Sequence, residues 1–125
     1  MIKATKNQLA NINNGYQGKS KKVLCVCSAG LLRSPTMANV IFSKYGHNTR
    51  SCGAAKEYAL IPISEALIRW ADEIVLSSID VAKYLNSDEK KLSSGKTIIL
   101  NIGDNYDWNE DHLVNKILEQ YGDTQ

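Results

Sequence analysis

The chain has 125 residues, 43% of them hydrophobic and 22% charged, with a net charge of +2, which suits one globular domain able to bury its own core. No run of about 18 apolar residues offers a membrane span, and no apolar N-terminal block reads as a signal peptide, so the cytoplasm is the expected compartment. Three cysteines, Cys25, Cys27 and Cys52, are an odd number without framework spacing and argue against a secreted disulfide scaffold.

The first 22 residues hold five lysines and no acidic residue. Residues 1–21, Asn-rich and broken by Gly15 and Gly18, are expected to form a flexible basic extension, with the folded domain at 22–125. Such a tail can touch nucleic acid or an acidic partner, but a solvated leader is the expected role. A strand is predicted at 22–27 (KVLCVC), then a helix at 34–45, a strand at 49–53 (TRSCG) and a helix from about Ser64. A strand at 73–78, a short helix over 78–86, a strand at 96–102 and a last helix from about Glu110 complete the order. Strands separated by helices imply an α/β domain of three layers, a four-stranded parallel sheet with helices on both faces. Ligands of such sheets sit beyond the carboxyl ends of the strands, and Cys27 and Asp104 both fall where a predicted strand stops.

Between the first strand and the first helix runs CSAGLLRSP (27–35). A loop that wraps from Cys27 back into a helix N-terminus turns the backbone N–H groups of Ser28, Ala29, Gly30, Leu31 and Leu32 toward a tetrahedral oxyanion. Arg33 adds a planar fork able to hold two phosphate oxygens. Donors and positive charge at a helix N-terminus favour a thiolate, the nucleophilic form of a cysteine. Ser34 either caps the helix or gives its hydroxyl to that thiolate, and Pro35 suits the first turn. Attack of Cys27 on phosphorus needs an acid on the far side of the phosphoryl group, for which Asp104 is the candidate and Asp107 and Asp111 the rivals.

The string VLCVCSAGLLRSPTMANVIF (23–42) resembles the phosphate-binding signature of low-molecular-weight protein tyrosine phosphatases, in particular a compact bacterial branch. SCGA (51–54), LIRWADEIVLSS (67–78) and GDNYDW (103–108) resemble three further blocks of that family in the same order, so that the likeness spans residues 22–121. The resemblance implies a flavodoxin-like sheet of the low-molecular-weight phosphatase type, no metal or other cofactor, and two-step hydrolysis of a phosphate monoester. It makes Cys27 the nucleophile, Arg33 the phosphate clamp, Ser34 the thiolate-stabilising hydroxyl and Asp104 the acid and base, with Tyr106 and Trp108 flanking an aromatic leaving group. The implied partner is a phosphotyrosine protein or an aryl phosphate. Neither a membrane nor nucleic acid is expected, and no oligomeric state is implied. The departures are Gly30 for the usual Asn, which commonly bonds a serine in the position of Ser51, Asn105 for Pro, and Leu32 where many relatives carry a second cysteine.

Other readings compete. A phosphocysteine carrier of the sugar phosphotransferase kind can share CSAG, but Arg33, Ser-Pro and Asp104 argue against it. Arsenate reduction needs a later cysteine relay, and no cysteine follows Cys52. A module that binds phosphoproteins without turnover is opposed by Asp104. The set Cys25, Cys27, His47 and Cys52 fits no zinc-ligand spacing. Cys25 is expected in the core. Cys52, at the end of the second strand, is expected to remain a free thiol, since a bridge to Cys27 needs α-carbons within about 7 Å. His47 and His112 are expected on the surface, Trp70 to pack with Leu67 and Ala71, and Asp72 to bind a turn at the rim opposite the site. The stretch 54–64 is expected to line one side of the pocket, with Tyr58 a candidate for substrate contact.

Overall fold

In a computed structural model, residues 20–30, 32–103 and 110–124 are described. The predicted extension at 1–21 therefore lies almost wholly outside the described residues. The elements are β1 (Lys22–Cys27), α1 (Arg33–Tyr45), β2 (Asn48–Gly53), α2 (Glu65–Trp70), β3 (Glu73–Leu76), α3 (Ile79–Ala82), α4 (Ser87–Ser93), β4 (Thr97–Ile99) and α5 (Asp111–Gly122). All strand pairs are parallel and the sheet order is β2-β1-β3-β4.

β1 is the near-continuous apolar run expected of a strand covered on both faces. Its pleat divides the core in two. Val23 and Cys25 join residues of α1 and α5 on one face, among them Met37, Ile41, Leu113 and Ile117. Leu24 and Val26 join Ile68 of α2, Val81 of α3 and the half-buried Leu92 of α4 on the other. Cys25 is thus core, as expected, and Leu67, Trp70 and Ala71 pack together against the second face, with Arg50 4.4 Å above the Trp70 ring.

Helix signals act where the sequence supplies them. Gly46, left-handed at φ 70°, ends α1 and its N–H donates to the Phe42 carbonyl at 2.9 Å. Ser64 caps α2 by accepting from Leu67 N–H at 3.2 Å. Of the two alternatives at Ser34 the cap is not taken: the cap of α1 is Leu32, and Ser34 lies inside the first turn, fully buried. α4 is an addition to the predicted order, nucleated by a capping box in which Asn86 accepts from Glu89 N–H at 2.8 Å and Glu89 accepts from Asn86 N–H at 3.0 Å. β3 and β4 are shorter than predicted, because Ser78 turns the chain into α3 and regular pairing stops at Ile99. The chain past β4 still leans on β3, through Leu100 N–H to Leu76 O and Ile102 N–H to Ser77 O, each 2.9 Å.

The rim opposite the strand carboxyl ends is tied by polar contacts. Asp72 accepts from Lys22 N–H at 2.9 Å, as its position predicts. Glu73 pairs with Lys21 at 2.6 Å and accepts from the buried Tyr121 hydroxyl at 2.6 Å. His47 departs from the expected surface position: it is half-buried and stacks on Tyr45, which meets Tyr121 edge-on. His112 is exposed as expected.

Burial pushes the thiols of Cys25 and Cys52 and the phenol of Tyr121 above their ordinary values, the last reinforced by the Glu73 carboxylate that it bonds. These acids stay neutral in the fold at a pH where the unfolded chain ionises them, so above that pH the unfolded chain binds fewer protons and stability falls. Their contribution is complete below about pH 8.5 and declines as pH rises from there toward the folded-state values. Urea unfolding followed from about pH 8 to about pH 11 is therefore expected to show a falling midpoint. Tyr121→Phe is expected to be less stable at neutral pH by about 1 kcal/mol but flatter above about pH 10, where the phenol ionises in the unfolded chain.

Candidate functional site

The sheet order creates a switch point: the connection from β1 leads to β2 on one side, and the chain then crosses to β3 on the other. In open α/β sheets the crevice at that point, beyond the strand carboxyl ends, is where ligands bind. Cys27 is the last residue of β1 and Ser77 the first after β3, joined across the gap by Ser77 N–H to Val26 O at 2.9 Å.

Around Cys27 the sequence-predicted residues converge. Its side chain is almost fully buried, and Gly30 N–H donates to Sγ at 3.1 Å. The thiol lies 3.2 Å from Ser34 Oγ, whose hydroxyl in turn donates to the Cys52 carbonyl at 3.2 Å. Ser34 Oγ therefore bridges the Cys27 thiol and the Cys52 carbonyl and makes no cap bond at the helix end.

Arg33, the first residue of α1, is 6% exposed. Its Nη1 donates to the Ile102 carbonyl at 2.9 Å and its Nη2 to Ser28 Oγ at 3.4 Å. One side chain thus joins the loop after β1 to the segment that follows β4. Of the five N–H donors of a guanidinium, Nε and one hydrogen on each terminal nitrogen are left over from those two bonds.

Two glycines let the loop close. Gly30 adopts φ +74°, a left-handed turn that glycine takes without steric cost, and a Cβ there would stand 3.0 Å from Gly53 N and 3.1 Å from the Cys52 carbonyl carbon. Glycine thus answers a close approach as well as a turn. At Gly53 a Cβ would meet the Ala29 carbonyl carbon at 2.7 Å and Ser28 O at 2.8 Å, so β2 and the loop touch backbone to backbone.

A cavity of about 270 Å³ opens over this loop, bounded by Ser28 and Arg33, by Ser78, Asp80, Lys83 and Tyr84 on and around α3, and by 101–103. Sequence reading did not foresee the α3 wall; the one available signal was its position just past the carboxyl end of β3. None of the stretch 54–64 lines this cavity; its first five residues, 54–58, border a second one. Leu32 is exposed beside the loop.

Asp104, Tyr106, Asp107, Trp108 and Leu31 lie outside the described residues. Asp111 opens α5 as an exposed first-turn acid, matching the helix dipole. All three cysteines are free thiols. Cys52 pairs with Val26 and shares its face of the sheet, whereas Cys27, one residue further along the pleat, turns to the face of α1 and Ser34. That geometry supports the expected free thiol at Cys52. Among the described residues no group of three or more His, Cys, Asp or Glu side chains is placed to hold a metal, and no helix is long and apolar enough to cross a membrane.

No family model and no curated protein matches the sequence. Solved structures do match the fold. Wzb from Vibrio vulnificus, in complex with benzylphosphonate, superposes with TM-score 0.62 at 19% identity over 84% of this chain and 97% of that one. The YwlE arginine phosphatase from Geobacillus stearothermophilus gives 0.55 at 18% identity over 84% and 95%. A low-molecular-weight phosphotyrosine phosphatase from Vibrio cholerae O395 gives 0.54 at 14% identity over 84% and 96%. The fold is that of the low-molecular-weight protein tyrosine phosphatases, with the expected four-stranded parallel sheet.

Proposed function

We propose that the chain is a phosphate-monoester hydrolase of the low-molecular-weight protein tyrosine phosphatase type, acting on phosphotyrosine through a phosphocysteine on Cys27. The observation that carries this reading is the meeting of Cys27 Sγ, Gly30 N–H and the Ser34 hydroxyl beside the buried guanidinium of Arg33. Solved structures of the same fold include phosphatases of tyrosine and of arginine, so the fold supports phosphoryl chemistry and leaves the leaving group to the pocket walls.

In the first step the Cys27 thiolate forms the S–P bond as the ester P–O bond breaks, and Asp104 gives its proton to the departing oxygen. Arg33 holds two non-bridging oxygens with its remaining N–H groups, and backbone donors of 28–33 hold the rest. The Ser34 hydroxyl has one proton: with a neutral thiol it donates to the Cys52 carbonyl, and with a thiolate it swings to sulfur, where the charge needs it. In the second step Asp104 takes a proton from water, the oxygen attacks phosphorus, and the thiolate leaves. Tyr106 and Trp108 would flank the aryl ring.

Phosphate release from an aryl phosphate and from a phosphotyrosine peptide, in chelator, tests the reading. Turnover of both, with a phosphoenzyme trapped by acid quench, is the expected result. A phosphoenzyme that persists without phosphate release would instead identify a carrier, and tight phosphopeptide binding with no phosphoenzyme would identify a binding module.

A further inference from the structure

Buried polar groups are almost always paired, and each exception asks for a physical reason. Four buried side-chain atoms have no hydrogen-bond partner among the described residues: His47 Nε2, Asn48 Nδ2, Arg50 Nε and Ser77 Oγ. The first three stand at the start of β2, toward the rim opposite the candidate site. Ser77 stands at the other end of the sheet, fully buried where β3 stops.

Register fixes the face on which this hydroxyl lies. Val75 is opposite Cys25 and shares its face of the sheet, the one covered by α1 and α5. Side chains alternate along a strand, so Ser77 and Cys27, each two residues further on, return to that face. Ser77 N–H donates to Val26 O at 2.9 Å, which keeps the two chain ends at the interstrand spacing of about 4.8 Å. Cys27 and Ser77 are thus side-by-side neighbours across the switch point. Ser77 is held from its other side as well, since its carbonyl accepts from Ile102 N–H at 2.9 Å.

Ser34 Oγ lies within reach of both the Cys27 thiol and the Cys52 carbonyl, so turning its proton to sulfur gives up a bond to that carbonyl. Ser77 has no such bond to give up. Resting on the phosphatase reading above for the role of Cys27 as nucleophile, we propose that Ser77 is a second hydroxyl donor to the Cys27 thiolate, its O–H turning to Sγ by rotation about χ1 when the sulfur carries charge. No proton leaves the serine. The bond is present before attack, is released as the S–P bond forms and the sulfur loses its charge, and returns when the thiolate departs in the second step. An unpaired buried hydroxyl destabilises the resting fold, whereas a hydrogen bond to a charged partner is among the stronger ones, so the same group costs stability with a neutral thiol and favours the ionised one.

The test compares Ser77→Ala with the wild type in the rate of Cys27 alkylation by iodoacetamide across pH, the modified residue being identified by peptide mass. At the midpoint of the wild-type profile the Ser77→Ala rate is expected to be lower by about fivefold, while near about pH 9 the two rates converge, which separates stabilisation of charge from access to the sulfur. Urea unfolding at neutral pH is expected to give Ser77→Ala a midpoint equal to or above that of the wild type, because no hydrogen bond of the resting fold is lost. Breakdown of the phosphoenzyme, followed by acid quench, is expected to slow by a similar factor, since the departing thiolate loses a donor. Coincident alkylation profiles overturn the proposal: with lower stability in Ser77→Ala the hydroxyl belongs to a buried water, and with weaker inhibition by inorganic phosphate it belongs to Arg33. If the folded wild type releases phosphate from neither ester, the phosphatase reading falls, while the alkylation profiles still decide whether Ser77 serves the thiolate.

Discussion

Replacing Cys27 by serine is expected to lower phosphate release by about 10⁵-fold or more, with the fold retained. A serine hydroxyl fits where the thiol sits, and Gly30 N–H and Ser34 Oγ remain in reach. What disappears is a readily ionised nucleophile, and among the described residues the hydrogen-bonding neighbours of Sγ are an amide and a hydroxyl, neither of them a base able to activate a serine. Arg33→Lys separates charge from shape. A lysine keeps the cation but not the fork, and it cannot reach Ile102 O and Ser28 Oγ together while presenting two parallel donors to phosphate. A loss of about 10²–10³ in kcat is expected, the scale of removing one preorganised donor from a developing oxyanion. Stopped-flow measurement of the phosphoenzyme burst with each variant checks both. A burst of wild-type amplitude in Cys27→Ser would move the nucleophile elsewhere.

The meeting of the proposed site residues was legible because they are local. Cys27, Gly30, Arg33 and Ser34 lie within eight consecutive residues, and a strand before them and a helix after them fix the bend that brings them together. The two faces of β1 were legible for the same reason, as an apolar run long enough for a strand and too short for a helix. Ser34 was legible only as two alternatives, and its place inside the first turn of α1 removes the cap. What escaped was built from distant pieces or from polar sequence. SDEKKLS of α4 carries one apolar residue and reads as a solvated stretch; only the Asn86–Glu89 spacing marks its start. The α3 wall depends on where a four-residue helix lands above Arg33, which no local pattern states. That Cys52 and Cys27 turn to opposite faces of the sheet follows from register, since Val26, not Cys27, stands opposite Cys52.

Asp104→Asn is expected to lower kcat/KM by about 10²–10⁴ for a phosphotyrosine peptide and by much less for a nitrophenyl phosphate. The difference follows from the leaving group. Tyrosine departs as a strongly basic phenolate unless a proton arrives with bond cleavage, whereas a nitrophenolate leaves unaided, so loss of a general acid is felt in proportion to the basicity of the oxygen it protonates. Since kcat/KM reports the steps up to formation of the phosphoenzyme, later hydrolysis does not blur the comparison. The structure fixes the residues that precede Asp104 in sequence: Ile102 O is held by Arg33 at 2.9 Å and Gly103 lines the cavity that also holds Arg33. It also supplies a rival that spacing did not suggest, because Asp80 lines that same cavity from α3. Asp80→Asn is expected to alter both esters alike and by less than about tenfold, as a wall residue would. A leaving-group-dependent loss in Asp80→Asn, with Asp104→Asn indifferent to the ester, would assign the acid to α3 and make the segment after β4 a binding wall instead.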